Sequence, residues 1–99
     1  MSNIEWNFKN KTVLVVGSSR GIGHGVASAF ERSGAEVIKL DSSVCNISNK
    51  VEVDLFVETL KSVDILVNVA AINYTKKIQN ISFEEWNEVL NVNLRGYFY

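Results

Sequence analysis

Hydrophobic residues fall along this chain in two patterns that alternate. Three short runs rich in Val, Ile and Leu occupy residues 12–16, 36–40 and 64–69, and such runs are typical of parallel strands buried on both faces. Between them, apolar residues recur at helical spacing: Ile22, Val26, Ala29 and Phe30 in the first interval, and Val53, Phe56, Val57 and Leu60 in the second. Strands that alternate with amphipathic helices predict an α/β fold built on a parallel sheet.

The connection after the second run is unusually short. Asp41 leads through only two serines into Val44–Ile47, whereas a parallel crossover normally takes about a dozen residues. Two interpretations fit: a crossover reduced to a tight excursion, or a segment that is merely an extended edge. We expect residues 44–47 to form a short edge strand, which gives the strand order 3-2-1-4 with flanking helices.

Helix ends are marked by specific residues. Gly34 follows the first periodic segment as a C′ glycine would, and Ser48 is placed as an N-cap for a helix over residues 49–60. Ser82 and Glu85 have the spacing of a capping box. The long helix that follows is predicted to bury one stripe of side chains: Phe83, Trp86, Val89, Leu90 and Leu94.

Composition and charge exclude several classes of protein. The net charge of −1 gives no basic surface for nucleic acid or for an anionic membrane. No apolar run approaches the roughly 20 residues that span a bilayer. One cysteine and one histidine exclude an internal disulfide and a zinc site, so no metal is predicted. The start of the chain is unlike a signal peptide, and we expect a cytoplasmic protein.

Three glycines between the first strand and the first helix carry the candidate chemistry. Gly17-x-x-x-Gly21-x-Gly23 is followed by Asp41 at the end of the second strand. In a dinucleotide-binding βαβ unit, the first glycine permits a tight turn, the second leaves room for a pyrophosphate and the third lets the helix approach the strand. The helix start then faces the phosphates. The structural alternatives are a plain Gly-rich turn and, for Asp41, a strand-end turn residue.

Three motifs together carry a family resemblance over nearly the whole chain. The glycine turn resembles the T-G-x-x-x-G-x-G motif of the short-chain dehydrogenase/reductase family, with Val16 in place of Thr. Residues 64–71 are similar to D-x-L-V-N-N-A-G, with Val69 and Ala71 as departures. Residues 85–96 are similar to the E-W-x-x-x-x-x-x-N-L-x-G helix. The chain looks like the N-terminal, NAD(P)-binding part of one incomplete Rossmann domain, near the 3-oxoacyl-carrier-protein reductases.

The resemblance implies a set of site residues. Asp41 would bind ribose hydroxyls, Asn46 and Ile47 would lie beside the adenine, and Asn93 would help to hold a water in the proton relay, which makes it the catalytic candidate. Asn68 would be mainly structural. The pyrophosphate and ribose would be lined by Gly17, Ser18, Ser19, Arg20, Gly21, Ile22 and Gly23, and the cofactor would be flanked by Val69, Ala70 and Ala71.

The resemblance also implies a cofactor and a reaction. Asp41 would accept hydrogen bonds from free ribose hydroxyls and repel a 2′-phosphate, whereas Arg20 could pair with that phosphate. We expect NAD, with NADP less favoured. Family members move a hydride between nicotinamide and a carbonyl or alcohol substrate, and a homo-oligomer is expected.

The catalytic residues of the family do not all occur in this sequence. In the family, the catalytic tyrosine is followed by a lysine four residues later. In this sequence, the residue four positions after Tyr74 is Ile78. We expect no turnover by these 99 residues themselves. A non-catalytic nucleotide-binding or interaction module is the alternative function, and a decayed reading frame is a third.

Overall fold

A computed structural model describes residues 4–99 of the protein. Three strands and the helices between them follow one another along the chain, and the last helical stretch changes its winding twice. The elements are β1 (Thr12–Val16), α1 (Gly21–Arg32), β2 (Glu36–Leu40), α2 (Lys50–Glu58), β3 (Ile65–Asn68), a 3₁₀ turn (Ile78–Asn80), α3 (Phe83–Leu90), a π-helical turn (Asn91–Arg95) and α4 (Gly96–Phe98).

The three strands form one parallel sheet in the order β2-β1-β3. In the register of the sheet, Val15 lies beside Lys39 on one side and Val67 on the other. Alternate residues of β1 face opposite layers. Val13 and Val15 pack with Ala27 of α1, while Leu14 and Val16 belong to a cluster that α2 covers. The sheet thus lies between two helical layers, as the predicted α/β fold requires.

The first helix ends as predicted, but it buries a different face. Gly34 has φ +91°, and the N–H of Ala35 bonds to the carbonyl of Phe30, which closes a Schellman motif. Ala27 is buried and Val26 and Phe30 pack beside it. Ile22, predicted to be core, is 78% exposed, and Ala29 is exposed as well. The small residues at 23 and 27 contact the sheet instead, because they allow the helix to lie close to β1.

The predicted edge strand at residues 44–47 is wrong, and the described sheet has three strands rather than the order 3-2-1-4. The chain turns back directly after β2, because the N–H groups of Val44 and Cys45 both bond to the carbonyl of Asp41 at 3.1 Å. A chain that reverses within four residues cannot reach the free edge of β2 in parallel register. Cys45 is nevertheless buried, against β1 and β2.

The second and third helices begin with side-chain caps. Asn49, not Ser48, caps α2, and its side chain accepts a hydrogen bond from the N–H of Glu52. Val57 of this helix, predicted to be core, is 52% exposed. The predicted capping box of α3 is confirmed, since Ser82 and Glu85 exchange both hydrogen bonds at 3.0 Å.

Four of the five residues in the predicted buried stripe of the last helical stretch are exposed, and the fifth, Val89, is half-buried. Phe83, Trp86 and Leu94 are 74%, 54% and 65% exposed. No described element covers these side chains. Their spacing in the sequence therefore predicted an apolar face but could not predict which element packs against it. β3 is one of the two edge strands of the sheet. Leu66 of this strand is exposed, and the buried side-chain oxygen of Asn68 has no hydrogen-bond partner among residues 4–99.

Candidate cofactor-binding site

A cavity of about 530 Å³ opens at the carboxyl ends of the three parallel strands. This is the edge at which open α/β sheets bind ligands, and the volume falls within the roughly 300–1,000 Å³ of small-molecule sites. Four segments line the cavity: the glycine turn, the connection after β2, the strand end after β3 and the inner face of α3. The lining residues are Val16, Gly17, Ser19, Arg20, Leu40, Asp41, Ser42, Cys45, Asn46, Ile47, Val69, Ala70, Ala71, Ile72, Glu88 and Val92.

Two of the three glycines are required by the packing of the turn. Gly17 has φ +92°, and a Cβ there would lie 2.7 Å from the backbone nitrogen of Ala70. A Cβ on Gly23 would lie 1.7 Å from the carbonyl oxygen of Gly17. Gly21 is different, because its φ is +60° but no atom lies within 4 Å of its Cβ position. That open space is where a bound group can approach the backbone.

The start of α1 offers unpaired N–H groups to this space. Arg20 occupies its N-cap position without a side-chain hydrogen bond, and the first turn contains no acidic residue. In contrast, Asn49 caps α2 and Ser82 caps α3. A helix start that lacks a cap keeps its backbone donors and its positive dipole end available for an anion.

Asp41 is held by a local turn. Its Oδ1 accepts the backbone N–H of Ser43 at 2.9 Å and also the hydroxyl of the same residue. The hydroxyl contact, followed by the backbone one, holds the pKa of Asp41 below its usual value. The carboxylate therefore stays ionised at neutral pH, and among the described residues its Oδ2 has no hydrogen-bond partner.

Asn46 is held in the same way. Its Oδ1 accepts the backbone N–H of Ser48 at 3.0 Å and the hydroxyl of Ser48 at 2.6 Å. The N–H of Asn46 itself bonds to Glu52 at 3.2 Å. Both polar side chains that follow β2 are thus fixed by a serine two residues later, an Asx turn in each case.

Asn93 lies outside the cavity lining and fixes one wall of it. Its Oδ1 accepts the N–H of Ile72 at 2.9 Å, and its Nδ2 donates to the carbonyl of Ile72 at 2.9 Å. It sits within the π-helical turn, a winding that often marks functional sites. The hydroxyl of Tyr97 donates to the carbonyl of Ala70 at 2.6 Å. These contacts tie the last helical stretch to the strand end after β3.

The loop after β3 is also tied to α3 by charged contacts. Lys76 pairs with Glu85 at 2.6 Å, and the hydroxyl of Tyr74 donates to Glu88. The hydrogen bond to Glu88 is the main cause of a raised pKa for Tyr74. Tyr74 is therefore protonated at neutral pH.

Most of the predicted site residues meet at the cavity, and some do not. Those that line it are Gly17, Ser19, Arg20, Asp41, Asn46, Ile47, Val69, Ala70 and Ala71. Ser18 is buried behind the turn, Ile22 points to solvent, and Gly21, Gly23 and Asn93 are absent from the lining. Four residues at or beside the cavity were not predicted from the sequence: Ser42, Ser43, Ile72 and Glu88. The Asp-x-Ser and Asn-x-Ser spacings could have indicated the two serine contacts.

The family of the chain follows from comparison with known proteins. A family model described as short chain dehydrogenase matches residues 43–99, which is more than half of the chain. The chain belongs to the short-chain dehydrogenase family. It is 30% identical to the 3-oxoacyl-[acyl-carrier-protein] reductase of Escherichia coli, over 93% of this chain and 47% of that protein.

Solved structures of the family superpose closely on the chain. A 3-ketoacyl-(acyl-carrier-protein) reductase from Brucella melitensis complexed with NADH gives a TM-score of 0.85 at 28% identity, over 91% of this chain and 47% of that one. A short-chain dehydrogenase from Leptospira borgpetersenii with bound NAD⁺ gives 0.87 at 33% identity, over 93% and 43%. The Rossmann-like fold is thereby shown. The chain spans about half the length of the relatives it matches.

The alignment also shows a difference in length. It covers 114 positions of the Escherichia coli reductase, but 93% of a 99-residue chain supplies only about 92 of them. About 22 positions of the relative therefore have no counterpart here. Within residues 4–99, no helix has both the length and the apolar character needed to cross a bilayer.

Proposed function

We propose that this chain is the cofactor-binding half of an NAD(P)-dependent oxidoreductase that moves a hydride between nicotinamide and a carbonyl or alcohol substrate. One observation carries the proposal. The glycine turn, Asp41, Asn46 and the strand end at residues 69–71 converge on a single cavity at the carboxyl edge of a parallel sheet. Family membership favours this function over a non-catalytic nucleotide-binding module.

The described residues fit the parts of a dinucleotide. The uncapped start of α1 and the open space at Gly21 suit a pyrophosphate. The free Oδ2 of Asp41 suits ribose hydroxyls, and Asn46 and Ile47 lie farther along the same wall for the base. When bound, the nicotinamide ring supplies the hydride acceptor or donor. The protein residues bind and orient the rest of the molecule.

We infer a preference for NAD over NADP. Asp41 is ionised, lies in the cavity and has one oxygen without a partner among residues 4–99. A carboxylate accepts hydrogen bonds from a free 2′-hydroxyl and repels a 2′-phosphate. Arg20 also lines the cavity and is the residue that would oppose this preference. The two solved relatives carry NADH and NAD⁺, which supports the inference.

Turnover would need residues outside the described site. No tyrosine in these 99 residues is followed by lysine four positions later, so the family's acid/base pair does not occur among them. The role of Asn93 in a proton relay stays a prediction, and its contacts support a positioning role through Ile72. Self-association through the exposed stripe of α3 and a cytoplasmic location are also predictions.

Binding of NAD to the purified chain, measured by isothermal titration calorimetry, tests the proposal. We expect saturable binding of one NAD, and loss of at least about tenfold in affinity in Gly21→Ala, because the new methyl group occupies the open space. Gly25→Ala is the matched control, since its Cβ also meets nothing within 4 Å but lies one turn beyond the start of α1 that is proposed to bind the pyrophosphate.

The two variants separate binding from folding. Gly21→Ala carries a strain of about 1–2 kcal/mol from its positive φ, so its circular dichroism is recorded beside that of Gly25→Ala. No binding of NAD or NADP by the folded chain would contradict the proposal, as would equal affinity in the two variants.

A further inference from the structure

The amide of Asn46 is oriented by its contacts. A backbone N–H can only donate, so the atom of Asn46 that lies 3.0 Å from the nitrogen of Ser48 is the side-chain oxygen. The hydroxyl of Ser48 donates to the same oxygen at 2.6 Å. The bond from the N–H of Asn46 to Glu52 holds the backbone of the residue as well. The oxygen is therefore committed to the turn.

The amide nitrogen is the atom that remains for a ligand. Asn46 lines the cavity, and within residues 4–99 the structure gives its Nδ2 no acceptor. An amide nitrogen only donates hydrogen bonds. A base that lies against this wall therefore meets a donor, whereas an aspartate at this position would present an acceptor.

We propose that Asn46 presents an N–H donor to the base of the bound dinucleotide, so that the site accepts a 6-oxopurine about as well as adenine. This inference rests on the proposed function. Adenine can satisfy the donor with a ring nitrogen, but its 6-amino group, itself a donor, gains nothing from Asn46. A 6-oxopurine offers its carbonyl oxygen to the same N–H. The site thus lacks the acceptor that would select the amino group.

Two dinucleotides that differ only at this position test the inference. NAD and nicotinamide hypoxanthine dinucleotide, in which a carbonyl oxygen replaces the 6-amino group, are titrated into the chain by calorimetry. The quantity compared is the ratio of the Kd for the hypoxanthine form to the Kd for NAD. We expect a ratio below about five for the wild-type chain, because no hydrogen bond distinguishes the two bases.

Asn46→Asp is the decisive variant. The aspartate keeps an oxygen for Ser48 and replaces only the amide nitrogen by a second oxygen, which accepts from a 6-amino group and repels a 6-oxo group. The ratio should rise at least about fivefold over its wild-type value. Ser43→Ala is the control, since it loosens Asp41, which would contact the ribose that both ligands share, and should leave the ratio unchanged.

The outcomes separate this inference from the proposed function. If neither dinucleotide binds the folded chain, the proposed function fails, and the inference fails with it. If NAD binds but the wild-type ratio is five or more, Asn46 acts as an acceptor and the inference alone is wrong. A ratio that rises less than fivefold in Asn46→Asp also overturns the inference, because the residue then does not face the base.

Discussion

Asn93 holds Ile72 by both of its backbone polar groups, with the two hydrogen bonds each 2.9 Å long. The contact joins residues 21 positions apart. It fixes the loop after β3 against the π-helical turn, beside the cavity that Ile72 lines. The wall of the site is therefore set by a side chain that does not itself line it.

Removing this side chain should destabilise the protein. Asn93→Ala leaves the N–H and carbonyl of a half-buried residue unpaired, which costs about 1–3 kcal/mol. Asn91→Ala is the control, because Asn91 makes only an exposed 3.3 Å contact with Arg95 on the same helical turn and should cost less than about 0.5 kcal/mol. Urea unfolding of the two variants measures the difference. Equal losses would show that the clamp on Ile72 contributes nothing specific.

The ion pair of Glu85 should make stability depend on pH in the acid range. The hydrogen bond from Lys76, then the one from the N–H of Ser82, lower the pKa of Glu85 below the ordinary glutamate value of about 4.5. A carboxylate whose pKa is lower in the folded state stabilises the fold above its unfolded pKa, and this contribution is lost as pH falls through the folded pKa. The loss should therefore occur below about pH 4.5.

Thermal unfolding of Glu85→Gln against pH checks this dependence. The wild-type Tm should exceed that of Glu85→Gln at pH 7, and the two should converge as pH falls below about 4.5. Glu84→Gln is the control, since Glu84 lies in the same first turn but forms no ion pair within the described residues. A constant gap between wild type and Glu85→Gln down to about pH 3 would refute the assigned cause.

Asp41 should set the choice of cofactor. Asp41→Asn keeps an oxygen for Ser43 but removes the charge that we propose faces the ribose. We expect weaker binding of NAD and stronger binding of NADP, so that the ratio of the two Kd values shifts at least about tenfold toward NADP. Arg20→Ala is the complementary variant and should weaken NADP alone. Tighter binding of NADP than of NAD to the wild-type chain would reverse the assignment.

The elements that local chemistry specifies could be predicted from the sequence. Gly34 at positive φ and the Ser82–Glu85 capping box involve only neighbouring residues, so their signals are complete in the sequence. The glycine turn was predictable because the spacing of its three glycines is itself a sequence motif. The clash of a Cβ on Gly23 with the carbonyl of Gly17 is local, whereas the contact of Gly17 with Ala70 is not and could not be seen in the sequence.

The features that depend on distant partners could not be predicted. Residues 44–47 have the composition of a strand, but the turn at Asp41 prevents them from reaching the edge of β2. The apolar stripe of α3 has the spacing of a core face, but burial needs a covering element that the described chain does not provide. The contact that orients Asn46 is local, since Ser48 lies two residues away, and its spacing could have indicated it. What the spacing could not show is that the amide nitrogen of Asn46 stays on the side of the cavity.

The exposed stripe should control self-association. Phe83, Trp86 and Leu94 follow one another at separations of three and eight residues along one helical stretch and are all exposed. An apolar face of this kind marks an interaction surface. Trp86→Glu should weaken association of the chain by at least about tenfold, because aromatic residues dominate such interfaces.

Leu55→Glu is the control, since Leu55 is 60% exposed but lies on α2, outside the stripe. Sedimentation velocity over a range of protein concentrations measures both. A wild-type chain that stays monomeric at all concentrations, or equal effects of the two substitutions, would show that the stripe is not the contact surface.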